Sequence, residues 1–182
     1  MKYDQIVTVI LVLGLVIGIS GMAGAQEVNL RDYRALIVKD LDVPPGSPAP
    51  ESAGMQMAEK AIYQLKRYSE KYKLFDTIVK EGGQGTAGVP SGQKTLILKG
   101  EVKEYSKSTV GRRIGRSFIP GGEFTGTSAF AAHYQFVDRD TGKVVYETSL
   151  RTTSTGSEDT VEYAMDRNGE ALAKTILKLK GR

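Results

Sequence analysis

The sequence contains no cysteine and no tryptophan, and it has a single histidine, His133. Without cysteine the chain can form neither disulfides nor thiolate metal sites, and it cannot carry a lipid on an N-terminal cysteine. One histidine is too few for a transition-metal site, which usually needs three or four soft or imidazole ligands. The G-x-x-x-x-G-K-S/T pattern of a phosphate-binding P-loop is also missing. We therefore expect neither a cofactor nor a metal.

The chain also lacks a block of charge of one sign. Lysine and arginine total 25 and aspartate and glutamate 21, which gives a net charge of +4. Because the two signs alternate along most of the chain, they indicate a solvated surface rather than the basic patch of a nucleic-acid-binding protein. We expect no nucleic-acid partner.

The first residues have the pattern of an export signal. Lys2 precedes an apolar run over residues 6–19, and the small residues Ala23, Gly24 and Ala25 follow it. This order predicts a secretory signal peptide over residues 1–25, cleaved after Ala25, and a periplasmic or secreted protein. The alternative is an uncleaved anchor, although a spanning helix needs about 20 apolar residues. The remaining residues, 26–182, fit a single domain.

Hydrophobic periodicity predicts strands and two long helices in that domain. The predicted strands span residues 34–41, 76–79, 95–105, 130–137 and 143–152, and the predicted helices span 51–75 and 159–179. Ser157 is the expected N-cap of the second helix, and Val144, Tyr146, Thr148 and Leu150 are expected on one strand face. The order predicts an α/β two-layer sandwich, with a mixed β-sheet and both long helices packed on one face.

Residues 106–126 form the most unusual segment, which is rich in glycine and arginine. Arginine binds phosphate or carboxylate with a two-pronged fork, and glycine lets the backbone approach a ligand. The segment is thus a candidate contact for an anion or a partner. The candidate contact residues are the arginines Arg112, Arg113 and Arg116, together with Phe118, which would add apolar surface. The alternative interpretation is a solvated connector between two strands.

Three other groups of residues are candidates for chemistry. His133 is predicted on the strand face opposite Phe130, Tyr134 and Phe136, without an identifiable nucleophile beside it. Four carboxylates could pair as in a glycosidase or form the polar side of a sheet: Glu101, Glu104, Glu123 and Glu147. Asp138 and Asp140 could suggest calcium, but their position before Gly142 favours a hairpin turn. No catalytic residue is assigned.

Several short motifs resemble the domain-of-unknown-function family 4410. They are Leu98-Lys99-Gly100-Glu101-Val102, then Gly111-Arg112-Arg113-Ile114-Gly115, then residues 129–138, and finally Thr141-Gly142-Lys143-Val144. The resemblance covers about residues 32–179 and implies a small bacterial envelope protein with no established activity. It also implies a fold similar to cell-wall-synthase activator lipoproteins and the periplasmic part of the curli secretion channel. No functional residue carries over from the family.

The sequence leaves three functions open. The first is an exported, non-enzymatic module of the periplasm that binds another envelope protein. The second is an accessory subunit of an outer-membrane assembly that contacts lipid through residues 110–127, where Phe118, Ile119 and Phe124 would supply apolar contacts and the arginines headgroup contacts. The third is a hydrolase of envelope polymers that uses Glu101, Glu104, Glu123 and His133.

Overall fold

The computed structural model describes residues 28–83, 89, 92–108, 128–154 and 159–181. Within these ranges the chain forms five strands and two helices: β1 (Ala35–Val38), α1 (Ala53–Tyr72), β2 (Thr77–Lys80), β3 (Thr95–Ser106), β4 (Ala129–Asp138), β5 (Val144–Thr153) and α2 (Val161–Leu179). The predicted leader and its cleavage site lie outside the described residues. In the described part, no helix is both long and apolar enough to cross a bilayer.

The strands form one mixed sheet in the order β2-β1-β3-β4-β5. β1 lies at the parallel side of the sheet, where Leu36 pairs with Ile78 of β2 and with Leu96 of β3. Parallel neighbours need a crossover connection, and α1 supplies it between β1 and β2. β3, β4 and β5 then run antiparallel to one another. The predicted mixed sheet is confirmed.

Both helices pack on the same face of the sheet and on each other. One apolar core joins strand residues to both helices: Leu36, Leu98 and Phe136 from strands, Met57 and Leu65 from α1, and Met165 and Leu172 from α2. The helices approach closely at Gly169, where an added Cβ would lie 3.2 Å from the Lys60 carbonyl oxygen. The predicted two-layer sandwich with two helices on one face is confirmed.

α1 is shorter than predicted because the residue that follows its last turn adopts a left-handed conformation. Lys73 has φ 55°, and its N–H donates to the Ser69 carbonyl oxygen at 2.8 Å. A left-handed residue directly after the last turn closes off the helix and satisfies one of its terminal carbonyls. The helix therefore ends at Tyr72, three residues before the predicted end at residue 75.

A buried polar network fixes α2 against β4 and β5. The Tyr134 hydroxyl, fully buried, donates to Asn168 Oδ1 at 2.6 Å. Asn168 Nδ2 donates in turn to the Leu150 carbonyl at 3.1 Å and to Thr152 Oγ1 at 3.2 Å. Thr152 Oγ1 donates to the Ala164 carbonyl at 2.7 Å. Burial raises the pKa of Tyr134, so its hydroxyl stays a neutral donor.

Two sequence predictions are wrong in detail. The N-cap of α2 is Thr160, whose side chain accepts from the Tyr163 N–H at 3.2 Å, whereas Ser157 lies outside the described residues. Val144 does not share a face with Tyr146, because the β4–β5 pairing shifts register between Phe136 and Val137. A β-bulge of this kind places one extra residue on one strand and moves the following side chains to the other face. Val144 is therefore 47% exposed.

The sheet face opposite the helices is partly apolar at its parallel side. Ala35, Ile37 and Val89 form a small buried cluster there, with Val79 and Ile97 packed against it. Further across the sheet, on β3, β4 and β5, the same face carries polar and charged side chains. We call this polar part the open face, and its members are Lys99, Glu101, Glu104, His133, Gln135, Glu147, Ser149 and Arg151.

Candidate functional site

The predicted contact residues Arg112, Arg113, Arg116 and Phe118 lie outside the described residues, as does Glu123. Both ends of their segment are nevertheless fixed. Ser106 and Ala129 are the last pair of the β3–β4 ladder, and the Ser108 N–H donates to Ser128 Oγ at 2.9 Å. The β3–β4 connection, residues 109–127, therefore leaves the sheet and returns to it at one point.

A second set of hydrogen bonds ties that point to the approach to α2. The Ser128 N–H donates to Asp159 Oδ1 at 2.8 Å, and Ser128 Oγ donates to the Asp159 carbonyl oxygen at 3.2 Å. Ser154 Oγ donates to the Ser128 carbonyl oxygen at 3.2 Å. Ser128 and Ser154 are both buried. These bonds give the β3–β4 connection a firm base beside the N-terminus of α2.

The open face lies next to this base and is organised by cross-strand register. In one row Lys99 faces Gln135 and Gln135 faces Glu147; in the next, Glu101 faces His133 and His133 faces Ser149. Side chains directly opposite one another on paired strands lie about 4.5–5.5 Å apart at Cβ and interact. The rows therefore place groups from β3, β4 and β5, distant in the sequence, on one continuous surface.

One ion pair spans the full width of this surface. Arg151 Nε donates to Glu104 Oε2 at 2.7 Å and its NH2 group to Oε1 at 3.1 Å, although the two residues sit on β5 and β3. Ala131 of β4 occupies the position between them. Its methyl group leaves room for the arginine to pass over the central strand. A fork-to-fork pair of this kind holds both side chains in a defined orientation.

His133 sits at the centre of the open face, as predicted for its strand face. Its Nδ1 lies 3.0 Å from Ser149 Oγ, and its Nε2 lies 3.6 Å from Glu147 Oε2. Glu101 is its register partner on β3, and Lys103 Nζ pairs with Glu101 Oε2 at 2.6 Å. The structure thus brings together His133, Glu101 and Glu147.

This arrangement offers weak support for hydrolysis. Serine, histidine and a carboxylate do follow one another, but none of them lines either of the two clefts near the C-terminal ends of the helices, and catalytic sites use concave pockets. Glu147 is 60% exposed. The strand β4 that carries His133 is paired on both sides, so its backbone N–H groups are already used in the ladder. The geometry is better suited to polar contacts with another surface.

Asp138 organises the predicted hairpin turn between β4 and β5. Its Oδ1 accepts from the Thr141 N–H at 2.8 Å, from Thr141 Oγ1 at 2.9 Å and from the Asp140 N–H at 3.1 Å. Its Oδ2 accepts from the Tyr33 hydroxyl at 2.8 Å. The Thr141 N–H and the Tyr33 hydroxyl, as the leading favourable contacts, hold the pKa of Asp138 below its usual value. In the described part of the chain, no three His, Asp or Glu side chains cluster as a metal site would need.

Sequence reasoning missed the contacts that depend on two strands or on distant segments. Examples are the Glu104–Arg151 pair, which no spacing in the sequence reveals, and the Tyr33–Asp138 hydrogen bond, which joins residues 105 positions apart. Ser149 was also missed as the neighbour of His133. Its position opposite His133 depends on the register shift between Phe136 and Val137, so no signal in the sequence indicated it.

Comparison with known proteins places the fold but not a family. No family model matches the chain and no curated protein is similar to it at a significant level. The resemblance to the domain-of-unknown-function family 4410 thus remains a prediction. Similar solved structures include the PelC dodecamer from Paraburkholderia phytofirmans and the dodecamer of a PelC variant from the same organism.

The PelC structures share the fold at low sequence identity. The variant has 13% identity and a TM-score of 0.56, with 81% of this chain and 92% of that chain covered. The second has 14% identity and a TM-score of 0.53, covering 79% and 89%. A Xanthomonas campestris protein of the domain-of-unknown-function family 330 reaches 9% identity and a TM-score of 0.47, with 82% and 86% covered. At these identities the likeness concerns the fold alone, which this chain shares with PelC.

Proposed function

We propose that this chain is an exported protein of the bacterial cell envelope that works by binding another envelope protein rather than by catalysis. The export signal over residues 1–25 would be removed after Ala25, leaving residues 26–182 as the working domain. The PelC structures, which share this fold, are dodecamers, so the fold is compatible with a role in protein–protein assembly.

The open face is the observation that carries this proposal. It presents acidic, basic and imidazole groups side by side, and several are already held in place by cross-strand contacts such as Glu104–Arg151 and His133–Ser149. A surface with fixed, alternating charges loses little side-chain entropy on binding and favours a partner of complementary pattern. The partner we expect is an envelope protein whose contact surface carries charges of the opposite arrangement.

Charge reversal on the open face tests the proposal. Glu101→Lys with Glu147→Lys should weaken recovery of the partner from envelope extract by about tenfold or more, which corresponds to roughly 1.4 kcal/mol. The measurement is quantitative mass spectrometry of cross-linked pull-downs, compared with the unmodified chain. A partner that the unmodified and the reversed chains recover equally would contradict binding through this face.

The matched control makes the same change of charge on the helical side. Glu51→Lys with Glu70→Lys alters two exposed carboxylates near and on α1, away from the open face. Recovery of the partner should remain within about twofold of the unmodified chain, because these positions do not contribute to the expected contact. A loss equal to that of Glu101→Lys with Glu147→Lys would indicate a general charge effect.

A second candidate is an accessory subunit of an outer-membrane assembly that touches lipid through residues 110–127. The pairing of the residues that flank this segment favours it, since Ser108 and Ser128 hold its two attachment points side by side at one end of the sheet. Arg112, Arg113 and Arg116 would contact headgroups, and Phe118 would enter the boundary of the acyl chains. Liposome flotation with and without residues 110–127 tests it, and an absence of flotation in both forms would exclude it.

A further inference from the structure

A cleft of about 510 Å³ opens at the pole of the fold where both helices end. Its lining comes from the segment before β1, from the end of α1 and from the end of α2: Arg31, Asp32, Arg34, Lys73, Leu74, Lys180 and Gly181. We call it the basic cleft. Its size lies within the roughly 300–1,000 Å³ that small-molecule sites occupy.

Hydrogen bonds between the chain segments hold the wall of the basic cleft. Arg31 Nε donates to the Lys180 carbonyl oxygen at 3.1 Å, and Lys180 Nζ donates to the Tyr33 carbonyl oxygen at 2.6 Å. The Lys180 ammonium also lies 4.2 Å from the centroid of the Phe75 ring, and the residue is only 4% exposed. Arg31, Arg34 and Lys73 remain exposed around the opening. These contacts hold the chain segments that carry the cationic groups in a fixed arrangement.

The charges of the basic cleft do not cancel locally. Leaving Lys180 aside because it is engaged inside the fold, three cationic side chains face one carboxylate, Asp32, among the described lining residues. The C-terminal ends of α1 and α2 add roughly −0.5 elementary charge each. Nearby, Asp76 lies 3.8 Å from Arg34, and Lys94 lies 3.8 Å from Asp32. The Asp76 carboxylate and the Lys94 ammonium offset each other. The three cations less Asp32 leave two positive charges, and the two helix ends reduce this excess to about one.

A neighbouring cleft provides the contrast. It shares Lys73 but adds Lys66 together with the carboxylates Glu70 and Asp76, so its cations and anions balance among the described residues. The excess of positive charge is thus a property of the basic cleft and not of the whole pole.

We propose that the basic cleft binds a phosphate group. The guanidinium groups of Arg31 and Arg34 offer paired donors that match phosphate oxygens, and the Lys73 ammonium adds a third cation. Leu74, which is buried, forms part of the inner wall of the cleft. Free phosphate compounds and phospholipid headgroups share this chemistry, and the experiment separates them.

The test uses the full chain and a double variant, Arg34→Gln with Lys73→Gly. Glycine suits the left-handed φ of 55° at position 73, and the exposed Arg34–Asp76 pair contributes little to stability, so the variant should fold. Circular dichroism and thermal unfolding verify that it does. The control, Lys99→Gln with Lys103→Gln, removes the same two charges from the far side of the sheet.

Binding is measured by isothermal titration with inorganic phosphate and by sedimentation with phosphatidylglycerol vesicles, at an ionic strength held constant with chloride. The double variant should bind at least about tenfold more weakly than the unmodified chain, and the control within about twofold of it. If the double variant loses affinity for inorganic phosphate, the cleft is assigned to free phosphate compounds. If it loses affinity for the vesicles alone, the cleft is assigned to lipid headgroups. Absence of saturable binding of either probe, or equal losses in variant and control, overturns the proposal.

Discussion

Asn168 shows how a single polar residue can determine the placement of a helix. It lies on the otherwise apolar inner stripe of α2, is fully buried, and connects Tyr134 of β4 to Leu150 and Thr152 of β5. A buried donor or acceptor left without a partner costs about 1–3 kcal/mol. The network therefore disfavours any other register of α2 on the sheet.

Truncation of this residue should be costly and coupled to Tyr134. Asn168→Ala should lower the free energy of unfolding by about 2–4 kcal/mol, because it leaves the Tyr134 hydroxyl without an acceptor and opens a cavity. Tyr134→Phe should cost about 1–2 kcal/mol on its own. Urea denaturation of the double variant should give a loss smaller than the sum by about 1 kcal/mol. Strictly additive losses would show that the two side chains do not depend on each other.

Asp138 makes stability depend on pH in the acid range. The Thr141 N–H and the Tyr33 hydroxyl hold the pKa of Asp138 in the folded protein below its usual value. Because the pKa is lower in the folded state, ionised Asp138 stabilises the fold at any pH above its pKa in the unfolded chain. This contribution is lost as the pH falls through its pKa in the folded protein. Asp138→Asn should therefore destabilise the protein at pH 7 but much less at pH 2. Unfolding curves recorded at both values test this, and an equal loss at both would contradict it.

At the scale of elements, strand alternation and helix periodicity predicted the number, order and inner faces of the strands and helices. They could not predict the register shift in β5, because a β-bulge leaves no signal in residue type, and Val144 was consequently assigned to the wrong face. The N-cap was also misplaced, since serine is the more favoured N-cap residue and residue type alone pointed to Ser157 rather than Thr160. The basic cleft escaped prediction because its cations come from three separate segments.

The β3–β4 connection should be dispensable for folding. Its ends are closed by the Ser106–Ala129 pair and by the Ser108–Ser128 hydrogen bond, and loop-closure entropy changes slowly with length. Replacing residues 110–127 with a short Gly-Ser linker should change the free energy of unfolding by no more than about 1 kcal/mol. Thermal and urea unfolding provide the measurement. If the linker variant no longer unfolded in a cooperative transition, the connection would have to pack into the core.

At the scale of the whole molecule, export is the property that remains to be tested most directly. The predicted cleavage after Ala25 means that the native protein should begin at Gln26. Intact-mass measurement of the protein purified from its own cells, with peptide mapping of its N-terminus, tests this. A mature form that still begins at Met1 and fractionates with the cytosol would contradict the envelope assignment. An Ala23→Arg and Ala25→Arg variant should accumulate the uncleaved form, since small residues are needed before the cut.

The two ends of the described domain meet at one pole, where the Leu30 N–H donates to the Leu179 carbonyl oxygen at 3.1 Å. Ser106 and Ala129, which flank the β3–β4 connection, lie at the other pole beside the start of α2. A fluorescent label or an immobilising tag fused to either end of this domain would consequently lie at the pole opposite to Ser106 and Ala129. Conversely, a domain tethered to a bilayer beside Leu30 would hold Ser106 and Ala129 at its end away from that bilayer.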